Sequence, residues 1–163
     1  MNKRAVDFSP LLKSVIARTN FPVLSTDEVE DFQKTHNKSL LFVSGDWERL
    51  AESDDVAAIL PELRTLGGGL AIAVIARDDE RALQLRFRFN KFPALVLCRG
   101  TGYLGAVTGM RDWVEFGAEI SALLKGPVRD PPPFKFPEGC MANGASIEPG
   151  INRDLLINQG SDS

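Results

Sequence analysis

The sequence predicts an α/β domain, a central mixed sheet of four to five strands flanked by helices. Short apolar runs alternate with segments of helical periodicity, which calls for parallel strands joined by helical crossovers. The runs Leu40 to Val43 and Leu70 to Ile75 are unbroken, as expected of strands covered on both faces. The last two runs, Ala94 to Leu97 and Tyr103 to Thr108, are joined by Gly100-Thr101-Gly102, a hairpin signal.

The elements follow in order. Ser9 is suited to cap a first helix and Pro10 to be its first residue, because the N–H that proline lacks would be unpaired there. Leu11, Leu12, Val15 and Ile16 recur at helical spacing, and the helix ends near Arg18 to Asn20. Phe21 to Leu24 reads as a short strand. Thr26 is expected to cap a second helix, with Val29 and Phe32 inward and acids in its first turn. After the strand Leu40 to Val43 comes the polar stretch Gly45 to Arg49, then a helix carrying Val56, Ile59, Leu60 and Leu63. The glycines 67 to 69 close that helix. Asp78 is expected to cap a helix containing Ala82, Leu85 and Phe89, and Gly109 precedes a last helix with Trp113, Phe116, Ile120, Leu123 and Leu124 along one side. In Arg86-Phe87-Arg88-Phe89 the aromatics are expected in the core and the arginines in solvent.

Composition narrows the function. The 163 residues suffice for one domain and a tail. A net charge of -3 argues against nucleic acid as a partner, since its binders are usually basic. With two cysteines, Cys98 and Cys140, and a single His36, neither a disulfide scaffold nor a zinc-type ligand cluster is expected. No metal, cofactor or membrane insertion follows from the sequence. Lys3 and Arg4 are followed by Asp7, Ser9, Pro10 and Lys13, which break any secretory apolar core, so a cytoplasmic location is expected. The domain is expected to span residues 1–126. Six of the ten prolines fall between Pro127 and Pro149, so residues 127–163 read as a proline-rich, flexible tail.

Phe92-Pro93-Ala94-Leu95-Val96, the hairpin at Gly100 to Gly102 and Gly109, in this element order, resemble thioredoxin from about Ser39 to Lys125. A closer likeness is carried by Arg88-Phe89-Asn90-Lys91-Phe92-Pro93-Ala94, Gly105-Ala106-Val107-Thr108-Gly109 and Trp113, together with the extra N-terminal helix and Pro22-Val23. These look like the HyaE/HupG family of hydrogenase expression and formation proteins over most of residues 8–126. The resemblance implies a thioredoxin-like fold with a cis bond at Phe92-Pro93. It also implies a role in maturing an uptake [NiFe] hydrogenase: binding the small-subunit precursor with its twin-arginine signal before Tat export.

Thioredoxins open the helix after the central strand with Cys-x-x-Cys, whose thiolate attacks disulfides. Here that stretch is Asp46 to Asp55 and holds no cysteine, so this disulfide chemistry has no nucleophile and no catalytic residue is expected. It offers Asp46, Glu48, Glu52, Asp54 and Asp55 against one Arg49. Carboxylates pair guanidinium groups bidentately, and Trp47 adds an apolar face on which an arginine can stack. The candidate peptide-binding residues are therefore Asp46, Trp47, Glu48, Glu52, Asp54, Asp55, Phe92 and Pro93. The competing reading of the acids is that they cap and solvate a helix start. Trp113 is expected to pack. Two other functions stay open at this point: a thiol enzyme using Cys98 or Cys140, and a scaffold that contacts other maturation proteins through its tail.

Overall fold

The computed structural model describes residues 7–133. The order of elements is α1 (Pro10–Thr19), β1 (Val23–Leu24), α2 (Thr26–Thr35), β2 (Lys38–Val43), α3 (Ala51–Leu63), β3 (Ala71–Ile75), α4 (Glu80–Phe87), β4 (Ala94–Arg99), β5 (Gly102–Thr108) and α5 (Trp113–Lys125). They form one five-stranded sheet in the order β1-β3-β2-β4-β5. β1 and β2 run parallel to β3, and β4 runs antiparallel to both β2 and β5. The mixed sheet and the N-terminal helix agree with expectation.

Side chains of a strand alternate between faces, so each unbroken apolar run feeds two cores. Leu40 and Phe42 of β2 enter one core with Leu12 and Val15 of α1, Leu60 and Leu63 of α3, and Phe116, Ile120 and Leu124 of α5. Leu41 and Val43 enter the other with Val29 of α2 and Leu83 and Phe87 of α4.

Local chemistry sets most of the boundaries. Ser9 caps α1 by accepting from the Leu12 N–H at 3.0 Å, and Asn20 ends it in the left-handed region. Two expected caps move by one residue. Ser25, not Thr26, is the N-cap of α2; the Glu28 carboxylate accepts from its N–H at 2.9 Å, a bond that the third helical position is placed to make. Asp79, not Asp78, stands at the N-cap position of α4, because residues Arg77–Asp79 first make a 3-10 turn, and its carboxylate accepts from the Thr26 hydroxyl at 2.7 Å. The inward residues of α4 are Leu83 and Phe87, while Ala82 and Leu85 face solvent. Phe89 lies past the helix, beyond Arg88 in the left-handed region, yet is buried with Phe87 between two solvated arginines, as expected.

The first residues of the tail are ordered against the sheet edge. The Arg129 N–H donates to the Tyr103 carbonyl at 2.8 Å, and Val128 covers Gly102 so closely that a Cβ there would meet it at 2.7 Å. The remainder of the tail, with Cys140, lies outside the described residues.

Candidate functional site

The sheet register determines which loops meet. Val43 pairs with Ala94, and Ala94 pairs with Thr108. The turn that leaves β2, the residue that enters β4 and the residue that leaves β5 therefore emerge side by side. They are Ser44-Gly45, Pro93 and Gly109. The Gly109 N–H donates to the Pro93 carbonyl at 2.8 Å, which joins two of these loops. The Phe92–Pro93 bond is cis, as the resemblance implies.

Gly45 is the close contact between the other pair of loops. Its φ is +77°, and a Cβ placed on it would lie 2.5 Å from Phe92 Cβ and 2.9 Å from Phe92 Cγ. Only glycine accepts both that conformation and that approach. Beneath it sits Glu80, 5% exposed. Its Oε2 accepts from the Gly45 N–H and from the Ser44 hydroxyl, each at 3.1 Å, and its Oε1 accepts from Arg77 Nε at 3.0 Å. Burial pushes the Glu80 carboxyl up, and the Gly45 N–H and the Arg77 guanidinium pull in the opposite direction without cancelling it. A carboxylate at the head of α4 thus ties down the turn at the end of β2. Sequence reading missed it because a glutamate in the first turn of a helix ordinarily faces water.

The predicted acidic residues divide. Glu52 faces the converging loops: its Oε2 accepts from the Met110 N–H at 3.4 Å, and it flanks Gly109 together with Lys91. Asp46 accepts from the Glu48 N–H at 3.1 Å and so shapes its own turn. Glu48 and Asp55 are exposed. Asp54 turns away, accepting from the Ser9 hydroxyl at 2.5 Å and pinning the start of α1. Trp47 donates its indole N–H to the Asp7 carbonyl at 3.1 Å, so the N-terminal segment holds it as well. Pro93 is buried and Phe92 half-buried, stacked edge-on against Phe89 at 5.4 Å. No hydrogen bond among the described residues occupies the Phe92 N–H or carbonyl.

Trp113 departs from expectation. It is 48% exposed, and its neighbour Val114 is 77% exposed. The stripe of α5 reaches the core from Phe116 onward, through Phe116, Ile120 and Leu124, while Trp113 stays half exposed. Asp112 caps the helix through the Glu115 N–H at 2.8 Å.

Cys98 is fully buried in β4, where Gln33 Nε2 donates to its sulfur at 3.2 Å, and burial pushes its thiol up. Such a thiol is poorly placed as a nucleophile. Among the described residues no cluster of three or more metal-ligating side chains occurs, and no helix is long and apolar enough to cross a membrane.

Residues 11–116 match the family model described as "Hydrogenase-1 expression protein HyaE". The chain belongs to the HyaE family. It is 39% identical over 123 residues to the hydrogenase expression/formation protein HoxO of Azotobacter vinelandii, covering 76% of this chain and 83% of that one. It is 34% identical over 121 residues to HupG of Rhizobium leguminosarum bv. viciae, covering 71% and 81%. Among solved structures, a point-mutant thioredoxin from Halobacterium salinarum NRC-1 aligns with a TM-score of 0.54 at 20% identity, over 66% of this chain and 92% of that one, which establishes the thioredoxin-like fold. Membership in the HyaE family gives the chain a role in hydrogenase maturation.

Proposed function

We propose that this HyaE-family chain is a non-catalytic, cytoplasmic chaperone that binds the small-subunit precursor of an uptake [NiFe] hydrogenase at its twin-arginine signal, before export. The observation that supports this most is the pairing of a thiol-free acidic turn with a cis-proline loop. Phe92 has backbone groups free to add an extended strand, and Glu52, from the stretch where thioredoxins keep their thiols, reaches the Gly109-Met110 loop fastened to Pro93. Glu52, Glu48 and Asp55 supply charge for the arginines, with Asp46 ordering the turn between them. Lys91 beside Glu52 offsets part of that charge, so the exposed pair Glu48 and Asp55 carries the more available share. A thiol-enzyme reading is not favoured at Cys98, which is sealed in the core.

The test is co-purification of the chain with the precursor, with and without its signal. Association is expected only with the signal. The double reversal Glu48→Lys, Asp55→Lys is expected to weaken it by at least about tenfold, or about 1.4 kcal/mol. Asp54 is left out of that variant because its carboxylate holds α1. Equal capture of a precursor without its signal would place the contact on the mature subunit or on another maturation protein and overturn the proposal.

A further inference from the structure

The head of α5 places apolar surface directly beside the converging loops. The other exposed large hydrophobic residues among the described ones, Leu11, Leu85 and Val128, lie singly on α1, α4 and the tail, whereas Trp113 and Val114 are adjacent and exposed. Met110, half-buried and packed on the core, lies between them and Gly109, whose N–H is fastened to Pro93. The charges around this surface are lopsided. Arg111 is folded back, its Nε bonded to Glu119 and its Nη1 donating to the Thr108 carbonyl at 2.9 Å. Asp112 and Glu115 remain exposed at the rim, and Glu52 touches the Met110 N–H.

From this we infer that Trp113 and Val114 form a specificity subsite for the apolar residues near an arginine in an extended peptide. The inference rests on the peptide-binding reading above and adds the requirement for the apolar side of the motif. Its occupant is set by complementarity: Glu52, Asp112 and Glu115 outnumber Lys91, which stands beside Gly109 together with Glu52, so the rim suits a cationic segment and disfavours an acidic or phosphorylated one. Spacing narrows it further. Met110 and Trp113 are three residue steps apart, at most about 10 Å of chain, and an extended peptide rises about 3.3 Å per residue. The apolar residues therefore lie within about three positions of the arginine. Large aromatic side chains with half their surface free are the usual energetic anchors of such contacts.

A double-mutant cycle tests this with the full chain. The probe is a synthetic peptide with two arginines followed by leucine and phenylalanine within three positions, and a second peptide with serine in place of those two. Titration calorimetry compares the wild type with Trp113→Ala and with Val114→Ser, both at exposed positions that leave the core intact. The expected result is an affinity loss of about tenfold for Trp113→Ala on the apolar peptide and less than about twofold on the serine peptide. Equal loss on both peptides, or loss on neither, overturns the subsite while leaving the peptide-binding reading in place. If the wild type binds neither peptide, both readings fail. If sedimentation shows that Trp113→Ala instead abolishes self-association, the face is covered by a second copy and the subsite is overturned.

Discussion

Replacing Gly45 with alanine measures how tightly the turn after β2 is set against the cis-proline loop. Two costs add. An L-residue at φ +77° pays about 1–2 kcal/mol for the left-handed conformation. The new Cβ would also lie 2.5 Å from Phe92 Cβ and 3.0 Å from Leu50 Cδ1, where carbon atoms prefer about 3.5–4.0 Å. Phe92 must shift, and overpacking of this kind costs about 1–3 kcal/mol. The sum is about 2–5 kcal/mol, a large share of the roughly 5–15 kcal/mol that stabilises a domain. Gly68→Ala provides the control. Gly68 has φ +84° and nothing within 4 Å of its Cβ position, so it carries the conformational cost alone. Both variants gain the same unfolded-state entropy, about 0.4–1 kcal/mol, so that contribution cancels in their difference. Urea unfolding at constant m is expected to place Gly45→Ala about 1–3 kcal/mol below Gly68→Ala. If Gly45→Ala is no less stable than Gly68→Ala, the close approach of Gly45 and Phe92 does not hold, and the site geometry built on it is wrong.

Glu80 predicts a pH dependence of defined sign. Its folded pKa is raised above the ordinary glutamate value of about 4.3, chiefly by burial, so the folded state holds this proton more tightly than the unfolded chain. Its contribution is fully present below the unfolded pKa and is lost as pH rises through the folded one. The stability difference between wild type and Glu80→Gln, followed by urea unfolding upward from about pH 4, is expected to fall with pH; a rise would mean that the Arg77 ion pair outweighs burial. Cys98 predicts chemical silence: in a Cys140→Ser background, iodoacetamide is expected to leave the native protein unlabelled and to label it fully in urea. Native labelling at the unfolded-state rate would reopen a thiol role.

Features written in local chemistry are legible in the amino-acid sequence. Ser9-Pro10 starts α1, the apolar runs mark the strands, Gly100 to Gly102 turns the hairpin, and the stretch Asp46 to Asp55 lacks a thiol. Capping, periodicity and the presence of a nucleophile depend on a few neighbouring residues, so sequence by itself determines them to within a residue or so. The α/β class and the family likeness follow from the same order of elements.

What the acidic stretch does with its charges was decided by tertiary structure. Successive residues of a helix are rotated by about 100°, so Glu52 and Asp54 point about 200° apart: one toward Met110, the other toward Ser9. Adjacency in sequence therefore did not make one patch. Likewise Trp113 fits the inward spacing of α5, yet among the described residues it stays 48% exposed while Phe116 one turn on is buried. The placement of Glu80 under Gly45 joins residues thirty-five apart through the ordering of β2 beside β3, which no local pattern specifies. The missing thiols and the elements around them belong to the sequence. Which carboxylate faces the loop, and which aromatic stays open to a partner, depend on helix rotation and strand register, and those exist only in the folded chain.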